Sequence, residues 1–406
     1  MGDVIKHYDI AIIGGGLAGA SLANALLGHG FSVAVIDKGP APKQAVENQD
    51  SRAIALSYSS LQCLKTMGVW PLFSEDAEPI MDVQISVQGS FGVTRINAQQ
   101  CGLEMLGAVI NADALNFGLN VCLMRSESAD ILDIYRNHSL RGLKRIEDGW
   151  ELDCTPSKTI QATLLVGADG SDSYLRQQLG IGMARTQSLE SAITTNIYHS
   201  EPHLGTAFER FTNTGSIAML PFGDGRSKCV SIVPTRELGS FLHCEDRVFL
   251  QHLQTEFGFR LGHLQHCSQR VSYALQPSHV ENIYGLGWVL IGNAANTLSP
   301  IAAQGFNLAL RDVALLAELL IQKKRNKALV GDISVLQEFA DCRVHDQQRV
   351  RQFTENLSQN GSDINHSFKT LGLLACELIP SVRQWVTEMG LGKHSPLPKL
   401  SRGVPA

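Results

Sequence analysis

Metal-ligand spacing is absent from this 406-residue chain. Its nine cysteines, Cys63, Cys101, Cys122, Cys154, Cys229, Cys244, Cys267, Cys342 and Cys376, never fall as C-x-x-C, and none of its thirteen histidines belongs to an H-E-x-x-H pattern. No metal centre is therefore expected, and the cysteines read as buried, reduced thiols. Charge is scarce as well: charged residues are 18% of the chain and the net charge is −5, so no basic surface points to nucleic acid. No apolar run is long enough for a membrane span, and the N-terminus lacks the basic segment and apolar core of a signal peptide. These absences lead to the expectation of a cytoplasmic protein, soluble or peripherally attached. What the chain does have is size, with 44% hydrophobic residues, enough for two domains or an interleaved pair.

The first strong local signal is Tyr8 to Ala23. The apolar run Ile10 to Ile13 reads as a buried parallel strand, and Ala18 to Leu27 has helical composition and spacing. Between them stands G-x-G-x-x-G. Gly14 permits the tight bend, Gly16 leaves room for a pyrophosphate to approach the backbone, and Gly19 lets helix and strand pack closely. The helix N-terminus offers free N–H groups and a positive dipole end to phosphate. A second apolar strand, Phe31 to Ile36, ends at Asp37, where a carboxylate can accept hydrogen bonds from ribose hydroxyls. A carboxylate there disfavours a 2′-phosphate and leaves NAD or FAD.

Further along, Arg52 precedes the apolar stretch Ala53 to Ser57; it either folds over a nucleotide or is an ordinary surface arginine. Met81 to Ile96 alternates as antiparallel strands do, Asp113 to Leu123 reads as a helix, and Leu140 to Ile146 with Trp150 to Cys154 reads as a hairpin. The strand Ala162 to Val166 then runs into Gly167-Ala168-Asp169-Gly170, with Ser171 or Ser173 able to cap the helix Tyr174 to Leu179. A ribose or phosphate suits that turn, and so does a plain strand-to-helix connection. From Ser191 to Tyr273 strands dominate, with Ala192 to Tyr198, Ser216 to Leu220 and Cys229 to Val233 as candidates, and the helix Asp246 to Phe257 sits inside them. Finally, Val289 to Ile291 ends at Gly292-Asn293, a loop follows, and Gly305 opens a helix to Leu320 whose N-terminus can face an anionic ligand. Asp332 to Leu391 reads as helices broken at Ile379-Pro380.

The fold class expected is α/β, a Rossmann-like dinucleotide-binding domain interleaved with an antiparallel-sheet substrate domain and followed by a helical C-terminus. Residues 1–80, 101–185 and 281–325 form the first, 81–100 and 186–280 the second, and 326–406 the C-terminal region.

In order, G-x-G-x-x-G, G-A-D-G-x-x-S-x-x-R (Gly167 to Arg176) and G-N-A-A-x-x-x-x-P-x-x-x-Q-G-x-N (Gly292 to Asn307) resemble the FAD-dependent aromatic hydroxylases of the p-hydroxybenzoate hydroxylase fold. Ser51 to Ser57, Phe208-Glu209-Arg210-Phe211-Thr212, Ile217 to Pro221, Asp224-Gly225-Arg226 and Phe257 to Gly262 are similar to the ubiquinone-biosynthesis branch, and within it to the enzymes that act on 2-polyprenyl-6-methoxyphenol. The resemblance implies that Gly14, Gly16 and Gly19 hold the FAD pyrophosphate and Asp37 the adenosine ribose. It places Arg52 on the cofactor, Asp169 and Gly170 at the pyrophosphate and ribityl chain, and the N–H groups of Gly305, Phe306 and Asn307 at the isoalloxazine edge. Asn293 stands where the wider family has aspartate and can still hydrogen-bond the cofactor. Ala303 replaces a common glycine, and Asn296 and Ser299 replace histidines frequent in relatives, so no titratable group is assumed in that loop.

The chemistry implied is oxygen insertion into a polyprenyl phenol lipid, using O₂ and a flavin C4a-hydroperoxide, with NAD(P)H or a separate electron carrier as reductant. No base is named by the sequence. Pro300 and Gln304 are candidates to line the reaction site, although a loop rigidifier and a satisfied polar residue look the same. The apolar segment Phe368 to Val386 suits either a core helix or a surface for the inner membrane or for a partner. Relatives work in ubiquinone-biosynthesis complexes, so such a partner is implied by resemblance. The competing class is a FAD oxidoreductase that inserts no oxygen; the lack of a second G-x-G-x-x-G for NAD(P)H and the antiparallel middle region favour the hydroxylase.

Overall fold

The computed structural model describes residues 5–43, 52–90, 92–126, 132–186, 188–223, 225–299, 304–327, 329–358, 379–393 and 396–406. Five parallel strands form its first layer, in the spatial order Trp288–Leu290, Lys158–Gly167, Lys6–Ile13, Val33–Asp37, Leu132–Arg136. Lys6–Ile13 is central because it is apolar on both faces: Ile10, Ala11 and Ile12 are wholly buried, under the helices that cover the sheet. Burying such an isoleucine contributes roughly 1.5–3 kcal/mol, so this run outweighs local propensity in setting the strand's place. Helices Leu17–Leu26, Ala112–Ser126 and Gln304–Arg325 pack together on one side. The hairpin Ser139–Ile146 and Gly149–Thr155 extends from the first half of Lys158–Gly167.

The second layer is an eight-stranded sheet, running Leu264–Cys267, Glu190–His199, Arg226–Pro234, Ser216–Pro221, Thr206–Phe211, Asp82–Val87, Val93–Asn97, with Val271–Ala274 also beside Glu190–His199. Every pair is antiparallel except one. Thr206–Phe211 and Asp82–Val87 run parallel, in the register Glu209↔Ile85. These two strands come from separate excursions of the chain, so no hairpin fixes their direction. The helix Asp246–Phe257 covers one face, burying Phe249, Leu253 and Phe257 against Phe208, Ile217 and Met219. The opposite face is left to a cavity.

Between the layers lies a small antiparallel sheet of Ala53–Ser57, Gly107–Asn111 and Glu78–Ile80. Helices Ile333–Ser358 and Pro380–Leu391 form the helical C-terminus, the second beginning at the break expected at Ile379-Pro380. The long helix opens at Gln304 and continues to Arg325, beyond the Leu320 end read from sequence. Among the strands that the sequence reading did not name are Leu132–Arg136 and Thr206–Phe211, together with Glu78–Ile80, Leu264–Cys267 and Val271–Ala274. Thr206–Phe211 carries a large aromatic on each face, Phe208 on one and Phe211 on the other, which blurs its alternation. The cysteines also depart from expectation: Cys63, Cys154, Cys229 and Cys267 are buried, but Cys342 is exposed, and Cys376 lies outside the described residues.

Candidate functional site

The first parallel strand ends in the glycine turn. Gly14 has φ +103°, and a Cβ there would run into the Ala168 carbonyl; a Cβ on Gly19 would run into the Gly14 carbonyl. A Cβ on Gly16 would meet nothing within 4 Å and would point into open space. That contrast separates glycines required by the fold from one that keeps a cradle empty. The helix Leu17–Leu26 behind the turn carries no side-chain N-cap and no acid in its first turn, so its leading N–H groups remain available to an anion.

Asp37, at the end of the neighbouring strand, is 19% exposed and held at both oxygens: Gly39 N–H donates to Oδ1 at 2.8 Å and Arg136 to Oδ2 at 3.1 Å. Arg136 also donates to Asn120. A Cβ on Gly15 would lie 2.6 Å from the Asp37 carboxylate and 2.8 Å from Arg136, so this glycine admits the ion pair to the turn. Sequence reasoning did not find Arg136, because the strand that carries it went unread.

Asp169 accepts the Leu175 N–H at 3.1 Å through Oδ2, while its Oδ1 is buried with no hydrogen-bond partner among the described residues. Gly170, beside it, has φ +89° and open space over its Cα. Arg176 locks this turn to the third motif, donating to Ser171 O at 2.8 Å and Ala294 O at 3.0 Å. Burial pulls its guanidinium below the usual arginine range.

Asn293 is exposed at the strand end and lines the same cavity. Gln304, Gly305, Phe306 and Asn307 form the first turn of the long helix and line it too. The Asn307 side chain is a staple: Oδ1 accepts from Ser57 N at 2.9 Å and Ser60 Oγ at 2.7 Å, and Nδ2 donates to Ala55 O at 2.9 Å. Asn296 is buried in the short strand Asn296–Thr297, and Ser299 Oγ is buried without a hydrogen-bond partner among the described residues. Pro300 and Ala303 lie outside the described residues. Arg52 is exposed, lines the cavity and sits 5.6 Å from the Tyr273 ring centroid.

Beneath the third motif runs a buried ionic network. Arg311 donates to Asp346 at 2.8 Å, Arg343 to Asp312 at 2.7 Å and also to Asp346, and Asp312 accepts the Gly292 N–H at 3.4 Å. All four side chains are at most 4% exposed. Burial pulls Arg311 down to about 10, with Asp346 acting in the opposite direction. The network fastens Gly292–Ala294 and two helices into one support.

Gly14, Gly16, Asp37, Arg52, Asp169, Gly170, Asn293, Ser299 and the helix turn Gln304 to Asn307 border a cavity of about 1700 Å³. That exceeds the ~300–1,000 Å³ of a single-ligand pocket and leaves room for a dinucleotide plus a second molecule. One end is the glycine turn. The other is the free face of the mixed sheet, with the helix Pro380–Leu391 closing it through Val382, Trp385 and Val386. Of the apolar segment Phe368 to Val386, residues 368–378 lie outside the described residues; at its end Val386, with Leu391, packs against Ile80 and Ile96, while Ile379 and Trp385 are about half exposed.

A strand-turn-helix dinucleotide cradle opening onto a sheet-floored second chamber defines a flavin-type oxidoreductase rather than a binding module. Residues 7–350 match the family described as FAD binding domain, and the chain belongs to that family. It is 30% identical over 410 residues to ubiquinone hydroxylase UbiL of Rhodospirillum rubrum, covering 100% of this chain and 95% of that protein. It is 28% identical to the 3-demethoxyubiquinol 3-hydroxylase of Escherichia coli, covering 95% and 98% respectively. Among solved structures, Pseudomonas aeruginosa PqsL in complex with 2-aminobenzoylacetate matches with a TM-score of 0.77 at 17% identity, over 91% of this chain and 100% of that one, a likeness of fold. The chain is an FAD-dependent monooxygenase. Its residues fit that cofactor: the space over Gly16, the orphaned Asp169 Oδ1 and the uncapped helix are what a diphosphate and a polyhydroxyl chain require. Among the described residues, no helix is long and apolar enough to cross a membrane.

Proposed function

We propose that the enzyme hydroxylates the aromatic ring of a polyprenylated phenol in ubiquinone biosynthesis, converting 2-polyprenyl-6-methoxyphenol to the 1,4-benzoquinol. The observation that carries this reading is the second chamber, whose floor is an apolar sheet face continuous with the cofactor cradle. An aromatic ring with an apolar tail suits that lining, and the names of the relatives point to the same substrate class. The half-exposed Ile379 and Trp385 beside the chamber supply apolar contact for a lipid surface at the inner membrane, from which such a substrate comes.

In this reading the backbone at Gly14, Gly16 and Gly19 holds the FAD diphosphate, and Asp37, oriented by Arg136, holds the adenosine ribose. Arg52, Asp169, Gly170 and Asn293 hold the middle of the cofactor, and the first turn of the helix Gln304–Arg325, including Gly305, Phe306 and Asn307, faces its ring. Bound and reduced by NAD(P)H or by a separate electron carrier, FAD supplies oxygen activation. The protein supplies the rest. Its helix dipole favours negative charge at the ring edge, and the apolar floor keeps water from the reacting atoms. Gln304, buried in that turn, borders the reaction space.

The Escherichia coli relative favours a second reading, hydroxylation of the same class of lipid at another ring position. Purified holoenzyme given reductant, ¹⁸O₂ and short-chain 2-prenyl-6-methoxyphenol separates the two. One ¹⁸O para to the phenol oxygen is the expected result. Label at another carbon supports the second reading, and reductant consumed with no label in any product overturns both.

A further inference from the structure

Among the described residues, four glycines of the cavity wall leave open space where a Cβ would stand: Gly16, Gly170, Gly305 and Gly390. The first three belong to the turns proposed to hold the cofactor. Gly390 lies at the far end, in the last turn of the helix Pro380–Leu391. No backbone requirement accounts for it there. The left-handed residue that ends this helix is Gly392, with φ +71°, whereas Gly390 keeps an ordinary helical place, where glycine costs stability relative to alanine. A missing side chain on a cavity wall, kept at a cost to its own helix, is explained by something that occupies the space.

The helix around Gly390 is fastened toward both ends. Arg383 donates to Arg95 O at 2.8 Å and to Gln100 Oε1 at 3.3 Å. Beyond the other end, Gly392 sits too close to Ser59 Oγ to carry a Cβ, and Lys393 Nζ lies 4.3 Å from the centre of the Tyr58 ring. Between these fastenings Val382, Val386 and Gly390 recur at i, i+4 spacing and all line the cavity, a stripe about 12 Å long. The charged residues Arg383 and Glu388 do not line it, and Thr387, which does, already donates to Arg383 O at 2.8 Å. Across from the stripe, Ile96, Ala207 and Leu220 of the sheet floor share an apolar cluster with Val386 and Leu391. Trp385 is the residue that reaches both inside and outside: it lines the chamber, is 49% exposed, and stands edge-on to Phe353, another lining residue, at 6.0 Å. The helices Ile333–Ser358 and Pro380–Leu391 thus meet in an aromatic pair at the rim.

A ring that reacts at the flavin lies by Gly305, so whatever chain it carries points toward Gly390 and Trp385. We propose that the prenyl tail of the substrate lies along Val382, Val386 and Gly390 and leaves the chamber past Trp385 and Phe353, with Gly390 setting how much tail is accepted; this rests on the phenol reading above. An apolar chain suits the stripe because it leaves water there without stripping a charge of its solvent. A tail of one isoprene unit ends beside the stripe. A longer one fills the space over Gly390 and reaches the rim, where the exposed half of Trp385 continues the apolar contact outward.

The test uses holoenzyme with 2-methoxy-6-prenylphenol, whose tail is one isoprene unit, and with its farnesyl counterpart, whose tail is three. Wild type is expected to show a KM about tenfold lower, or less still, for the longer tail. Gly390→Leu fills the open space, so it is expected to keep its FAD and to melt no lower than wild type. Its KM for the farnesyl substrate should rise about tenfold with kcat nearly unchanged, while KM for the prenyl substrate moves less than about twofold. Gly390→Ala falls between the two, and Trp385→Ala raises KM about threefold for the longer tail alone. An equal rise in KM on both tails overturns the proposal, because the helix would then only roof the ring. So does Gly390→Leu within twofold of wild type on the longer tail, or a wild type indifferent to tail length. If Gly390→Leu fails to fold, Trp385→Ala that treats the two tails alike overturns it instead. Wild-type enzyme that hydroxylates neither phenol overturns the substrate reading itself, and with it this assignment.

Discussion

The two ends of the cavity are built in different ways. At the cofactor end, the proposed contacts come from backbone groups at strand-to-helix turns, and one turn of a few residues contains most of them. At the floor of the second chamber, the surface is made of side chains brought together across strands: Thr94, Ile85, Glu209 and Ala218 come from four strands whose spacing in sequence carries no signal. A backbone site tolerates change in its surroundings but not in its glycines. A side-chain site on a sheet face is open to retuning one residue at a time within a shared cofactor architecture.

The largest effect is expected where the support for the cofactor end is fastened. Asp346→Asn leaves Arg311 and Arg343 buried with one carboxylate between them, and stability to urea should fall by about 3–5 kcal/mol. FAD should be lost with the fold rather than before it. Retention of native stability would show that the network is incidental to the junction.

Gly16→Val is expected to separate cofactor from fold. Its new side chain meets open space, so the protein should remain stable while FAD affinity drops about a hundredfold, read by flavin fluorescence. Gly14→Ala, by contrast, strikes the Ala168 carbonyl at a positive φ and should weaken the fold itself. A yellow, fully loaded Gly16→Val protein would refute the cradle.

Ala218→Phe sharpens the comparison from the other side. It narrows the floor next to Glu209 and should raise KM for a prenyl phenol about tenfold, with FAD content unchanged. Equal loss of FAD would mean that the two chambers are not separable.

The smallest effect is expected at Asn293→Asp. This exposed position can carry a carboxylate with a change in FAD affinity below about 1 kcal/mol, measured by titration of the apoprotein. Complete loss of the cofactor would show that charge beside the diphosphate dominates.

This division also explains which parts of the fold and site are legible in the sequence. The turn at Gly14 to Gly19, the turn at Asp169 and the helix opening at Gln304 are each local, and their spacing and glycines announce strand, bend and helix. The Leu132–Arg136 strand is short and at the sheet's edge, so its weak alternation hid it and Arg136 with it. Glu209 belongs to the segment Phe208 to Thr212, but its orientation depends on a parallel pairing with Asp82–Val87 that no local pattern announces. The buried network was hidden for the same reason, since Asp312 and Arg343 meet only after two helices pack.

The most direct test of the central claim is the quinone-lipid profile, by mass spectrometry, of cells lacking this protein, with and without its gene restored. Accumulation of 2-polyprenyl-6-methoxyphenol that disappears on restoration is the predicted result. An unchanged ubiquinone pool, in a strain with no redundant hydroxylase, would contradict the account and direct attention to another aromatic substrate.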